Sequence, residues 1–205
     1  MKIAIIGAGA TARVVADIIL ESHTFRIAGF VGSPGDEKTF ADGRVYHDIP
    51  FLGDHSVLPK LNEIDVVGFI VAIGDDFIRE KVYYEALQAE LSPVNAISPR
   101  AAINADIIIG AGTAISPGVT IGSGVNIGNN VIIFPGAVIG ADVNIGDHCC
   151  LKAGAIVSVG STIEKNARLG VGAVVDSVTV GKNQDVPTGT VVRESLPGLY
   201  RKEAD

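Results

Sequence analysis

From Ile97 to Val175 every sixth position is Ile, Leu or Val, fourteen positions in an unbroken series. The third residue after each aliphatic is Gly, Asn, Asp or His in twelve of the fourteen hexads. These residues enter left-handed backbone at least cost. The fourth is small or β-branched in nearly every hexad, as at Ala101, Thr113, Val119, Ala137, Cys149, Ala155, Ala173 and Thr179. An inward aliphatic, a tight turn and a second inward small residue predict one wall of a parallel β-helix. Pro99, Pro117 and Pro135 fall at the same place in their hexads, eighteen residues apart. Three hexads per coil make a triangular prism with one strand per side and one turn per corner. Its coils stack at about 4.8 Å. An ordinary β-sandwich does not hold its strand spacing fixed over so many units.

The first ninety residues follow another rhythm. Lys2–Ile6 is a short apolar strand, and Arg13–Glu21 is an amphipathic helix with Val14, Val15, Ile18 and Ile19 inward. Arg26–Val31 is a second strand, and residues 32–50 are a loop rich in Gly, Asp and Pro. Asp65–Ile73 is a third strand, apolar enough for burial on both faces. Asp76–Ala89 is a second helix with Asp75 or Asp76 as N-cap. These elements predict a small α/β domain with a parallel sheet. Ser92-Pro93 marks its end, so the domains expected are 1–92 and 93–205.

Composition narrows the partners. The chain has 205 residues, 47% hydrophobic, with a net charge of −7. An acidic chain is a poor partner for nucleic acid or for an anionic membrane. Gly-rich turns interrupt every apolar run before transmembrane length, and MKIAIIGAGA carries no cleavage pattern. A cytoplasmic protein is expected. Cys149 and Cys150 are adjacent; Cys149 falls at an inward position.

Gly7-x-Gly9-x-x-Ala12 follows the first strand and opens the first helix, a shape that lets backbone N–H groups approach a phosphate. Dinucleotide binding also needs an acid at the end of the second strand. Phe30-Val31-Gly32-Ser33 offers none there. Two readings stay open: glycines that only turn strand into helix, and a loop holding the phosphate of another ligand.

The runs Lys2–Gly9, Val14–Ile18, Ile27–Phe30, Ile70–Asp75 and Asp185–Val192, together with the hexads, resemble the hexapeptide-repeat sugar acyltransferases. That family includes sialic-acid O-acetyltransferases and nucleotide-sugar N-acetyltransferases. The resemblance covers nearly the whole chain and implies a small Rossmann-like α/β domain followed by a left-handed parallel β-helix. It implies a nucleotide sugar, UDP- or dTDP-linked, in the first domain. It also implies acyl-CoA as co-substrate in a groove between subunits of a homotrimer, with no permanently bound cofactor. By this resemblance Gly7, Gly9, Ala10, Thr11, Arg13, Gly74, Asp75 and Arg79 are expected at the nucleotide sugar. Cys150, Lys152, Gly154, Arg168 and Gly172 are expected at CoA. Lys165 and Lys182 add cations on the same coils, and a solvated face is their plainer reading. Asp142 and His148 are the catalytic candidates, and both also suit corner positions as turn residues. His47 lies in the 32–50 loop, where a surface place is its plainer reading and reaching a bound sugar from above the sheet is the alternative.

The chain departs from the family pattern where chemistry is concentrated. The family's phosphate loop reads Gly-x-Gly-Gly-His-Gly-Lys, but Thr11, Ala12 and Arg13 stand in its last places. Its catalytic run reads Glu-His-Asp, but hexad register places Gly140-Ala141-Asp142 there. A hydroxyl attacking a thioester needs a base, which contributes roughly 10²–10⁴-fold. An amine is already nucleophilic and needs positioning more than deprotonation. N-acylation of an amino sugar is therefore the leading expectation. O-acylation and a non-catalytic nucleotide-sugar-binding trimer are the alternatives. Zinc chemistry on this scaffold needs three His, and the hexads contain one, so no metal is expected.

Overall fold

A computed structural model describes residues 1–36 and 46–199. Residues 37–45, inside the loop expected at 32–50, and residues 200–205 lie outside the described residues. The chain divides into two compact units, Met1–Pro99 and Arg100–Asp205.

The first unit runs β1 (Lys2–Ile6), α1 (Ala10–Ser22), β2 (Arg26–Gly32), a 3-10 turn (Tyr46–Asp48), β3 (Phe51–Asp54) and a 3-10 helix (His55–Ile64). It continues with β4 (Gly68–Val71), α2 (Asp76–Gln88), β5 (Ser92–Pro93) and β6 (Ala96–Ile97). The first five strands form a sheet in the order β3-β2-β1-β4-β5, every pair parallel. Strand alternation sorts the core. Ala4, Ile6, Phe69 and Val71 join Leu58, Leu61, Val82, Tyr83 and Ala86 in one cluster. β4 is buried throughout. α1 buries Ala12, Val15, Ala16, Ile18 and Ile19; Val14 is only half-buried.

β3 and the 3-10 helix are additions to the sequence reading. Pro59 sits inside the helix, where a missing N–H and a fixed φ disfavour a regular α-helix. Asp54 caps it by accepting from the Ser56 N–H at 2.9 Å. The Ser56 hydroxyl first, and then this N–H bond, hold the Asp54 carboxyl below its ordinary range. The first unit extends to Pro99 because β5 pairs with β4 and β6 lies against α1.

The second unit is the predicted prism. Face one stacks Ala102–Ile103, Thr120–Ile121, Val138–Ile139, Ile156–Val157, Val174–Val175 and Val191–Val192. Face two stacks Ile108–Ile109, Asn126–Ile127, Asn144–Ile145, Thr162–Ile163 and Thr179–Val180. Face three stacks Ala114–Ile115, Ile132–Ile133, Cys150–Leu151, Arg168–Leu169 and Asp185–Val186. All pairs are parallel. The hexad aliphatics from Ile115 to Val175 are buried, and so is Cys149, whose thiol lies 3.0 Å from the Glu164 carbonyl.

The prism does not stop near 180. One corner is a residue short: Asp176, Ser177 (φ 56) and Val178 link Val175 to Thr179. Hexads then resume at Val186 and Val192. Thr179, expected inward, therefore takes the outward strand place and pairs with Thr162.

Ile133 is fully buried, with coils packed above and below. Ile133→Ala should destabilise the protein by about 2–5 kcal/mol, readable as a lower denaturation midpoint with far-UV dichroism unchanged.

Candidate functional site

The parallel sheet ends in a cavity of about 320 Å³. It is lined by residues 7–11, by Gly32, Ser33 and Asp36, by His55, by residues 72–74 and by Ile78. This is the carboxyl edge of the strands, where open α/β sheets bind ligands. Gly7 adopts φ 131, and a Cβ there would lie 2.5 Å from the Ala72 carbonyl oxygen, so only glycine fits. Gly9 is the N-cap of α1 with no side-chain cap, and the first turn holds no acid. The helix end thus presents N–H groups and a partial positive charge to the cavity, a site for an anion.

Gly7, Gly9, Ala10, Thr11 and Gly74, the residues expected at a nucleotide sugar, all line this cavity. Three expected residues do not line the cavity. Arg13 follows Thr11 by two positions, about 200° around the helix, and faces solvent. The Asp75 carboxylate caps α2, accepting from the Phe77 and Ile78 N–H groups at 3.0 Å. Arg79 is fully buried and donates from Nη1 to the Ile73 carbonyl at 3.2 Å. It holds the cavity wall from behind. His47 turns to α1, with Nε2 3.6 Å from Asp17 Oδ1, and Tyr46 donates to the same carboxylate. Burial and that carboxylate push the Tyr46 hydroxyl up to about 12.

Asp36 and His55 are among the cavity residues that were not expected. Asp36 brings a carboxylate back to the end of the second strand. Ser33-Pro34-Gly35-Asp36 is a tight turn, closed by Asp36 N–H donating to Ser33 O at 3.0 Å. Its carboxylate accepts from the Ser33 N–H at 2.7 Å. Pro-Gly after a strand was the available signal. His55 had none.

In the prism, Asp142 and the residues expected at CoA lie on different corners. Asp142 (φ 56) is exposed on the corner between faces one and two. Lys152, Gly154 and Gly172 lie on the corner between faces three and one, with Arg168 beside it on face three. That corner carries Gly118, Gly136, Gly154, Gly172 and Gly189, all at φ 63–72. An added Cβ at Gly136, Gly154, Gly172 or Gly189 meets nothing within 4 Å, so the column borders open space. Lys152 Nζ stands 4.5 Å over the Phe134 ring. Arg168 Nη1 lies 3.7 Å from Asp185 Oδ2. Lys165 and Lys182 lie instead on the third corner, beside a groove of about 530 Å³ on face two.

Two expected residues do not face a groove. His148 is 1% exposed. It adopts φ 59, as a corner position predicts, but its ring stacks in a column of buried corner side chains, Asn130, His148, Asn166 and Asn183. Its Nδ1 lies 2.9 Å from Asn130 Nδ2. Asp142 has Gly124 and Gly160 below and above it, so no side chains cover it. Cys150 is also fully buried, out of reach of a thioester in a surface groove.

Residues 2–86 match the PglD N-terminal domain family, and residues 124–158 match the bacterial transferase hexapeptide family of six repeats. The structure of a mutant of perosamine N-acetyltransferase from Caulobacter crescentus, in complex with CoA and GDP-perosamine, is 33% identical, with a TM-score of 0.88. The alignment covers 97% of this chain and 91% of that one. The chain belongs to the hexapeptide-repeat nucleotide-sugar acyltransferases. Membership makes the prism a left-handed β-helix. The acetyltransferase domain of PglB from Neisseria gonorrhoeae FA1090 shares the fold at 24% identity and a TM-score of 0.84, covering 96% of this chain and 93% of that one. WeeI from Acinetobacter baumannii AYE shares it at 21% and 0.81, covering 97% and 94%. No curated protein matches the chain by sequence. No described helix is long and apolar enough to cross a membrane.

Proposed function

We propose that this acyltransferase moves an acyl group from acyl-CoA to the amine of a nucleotide-linked amino sugar, in the cytoplasm, for surface-glycan synthesis. The observation that carries the reading is a 33% identical N-acetyltransferase aligned over 97% of the chain. The cavity at the α1 N-terminus supports it, with the sugar nucleotide's phosphates against Gly7–Thr11 and a ribose hydroxyl on Asp36.

The working unit is a homotrimer. Face one turns aliphatic side chains outward: Val138 and Ile156 are 42% and 41% exposed, and Val191 is 44% exposed. The glycine column stands at one edge of this face and Asp142 at the other. Three copies packed by face one set Asp142 of one copy against the glycine column and Lys152 of the next. That cleft takes acyl-CoA, with pantetheine along the glycines and the CoA phosphates toward Lys152 and Arg168.

The neutral amine attacks the thioester carbonyl, the C–N bond forms and the C–S bond breaks. The ammonium proton leaves with the departing thiolate, giving amide and CoA thiol. Asp142 accepts a hydrogen bond from the amine and orients it. No histidine base is assigned, since Ala141 stands where the family pattern has one and His148 is enclosed.

Thermal shift tests the reading. Stabilisation by CoA and by a nucleoside diphosphate, each alone, is expected; stabilisation by the nucleotide without any by CoA would favour a binding protein instead.

A further inference from the structure

His55 immediately follows β3, two strands from the phosphate loop across the order β1-β2-β3. Phosphates at the α1 N-terminus and ribose at Asp36 lead a nucleotide outward along that line. His55 then stands about 10 Å from the loop, two strand spacings, where the base arrives.

The imidazole is in an unusual state. Its Nε2 is enclosed and has no hydrogen-bond partner among the described residues. A buried polar nitrogen left unpaired is uncommon in a folded chain and calls for an explanation such as a ligand. The ring also stands between two cavities. One is the nucleotide cavity; the other, about 260 Å³, is lined by His55, Leu58, Pro59, Glu85, Gln88 and Ala89. Because His55 lines both cavities, a turn about its Cα–Cβ bond would carry the ring from one toward the other.

From this we infer that His55 reads the base of the nucleotide sugar. On binding, the ring turns into the nucleotide cavity and Nε2 hydrogen-bonds the base edge. Neutral imidazole offers one donor and one acceptor, so bases with different edges are held unequally. A site that hydrogen-bonds one ligand rejects another that leaves its polar group unpaired. The inference rests on the nucleotide-sugar reading and deepens it, naming the residue that selects the nucleoside.

Calorimetric titration of the full chain with GDP, UDP, dTDP, CDP and inorganic pyrophosphate tests it. The wild type is expected to favour one diphosphate by about tenfold or more, equivalent to about 1.4 kcal/mol. His55→Ala should flatten that preference to within about threefold while pyrophosphate affinity stays unchanged, and His55→Gln should restore part of it. Equal weakening of every ligand, pyrophosphate included, marks a merely structural residue and overturns the inference. So does a base preference that survives in His55→Ala, or a wild type that binds all four diphosphates alike. A wild type that binds none of them overturns the nucleotide-sugar reading itself, and this inference with it.

Discussion

Gly9→Asp is expected to remove nucleotide binding from a protein that folds normally. Gly9 has φ −89 and ψ −163, a conformation open to any residue, and a Cβ there meets nothing within 4 Å. Aspartate is a favoured N-cap, so the melting temperature should hold or rise. The new carboxylate, however, accepts the first-turn N–H groups and places negative charge where a phosphate is to bind. Nucleoside diphosphate affinity should fall by about 100-fold or more. Gly7→Ala makes the contrast: clash with Ala72 and a φ of 131 should cost the fold as well as the site. Calorimetry and thermal melts on both variants separate the effects. Wild-type affinity in Gly9→Asp would place the phosphates elsewhere.

Ile156→Lys should leave the prism folded and take the trimer apart. Ile156 points outward from face one between Val138 and Val174, so its replacement leaves the prism interior untouched. In the trimer it would put a charge from each copy into an apolar contact. Light scattering should report the mass of one chain instead of three. CoA release should fall by about 100-fold or more, because in the proposed trimer Asp142 and the glycine column that completes its cleft belong to different copies. Full activity in a monomeric Ile156→Lys would dismantle the shared-cleft account.

The prism was legible because a hexad fixes three things together: which side chain enters, where the chain turns and how coils pair. The short corner at Asp176–Val178 escaped because deleting one turn residue leaves no mark until the aliphatics resume at Val180. What period could not say is which way a corner side chain points. Asn130, His148, Asn166 and Asn183 are buried because each covers the next along one edge. Asp142, between two glycines, stays exposed in the same backbone conformation. That neighbour relation lies eighteen residues away in the chain and appears only once coils are stacked.

In the first unit, Gly7 was legible because the turn out of β1 holds it at φ 131 against Ala72, and Gly9 and Gly74 were legible from their places at the helix start and the strand end. Arg13 failed on helix phase, and Asp75 because capping already uses its carboxylate. Arg79 failed because burial turned it toward a carbonyl. Asp36 was missed by reading the strand end linearly, while the Pro-Gly turn folds the acid back to it. His55 follows β3, a strand of four residues with no strong alternation to announce it.

The most direct test is CoA release with acyl-CoA and paired acceptors: 4-amino and 3-amino nucleotide sugars against their hydroxyl counterparts. The account predicts turnover with an amine acceptor and little with any alcohol. Turnover confined to hydroxyl acceptors would contradict it.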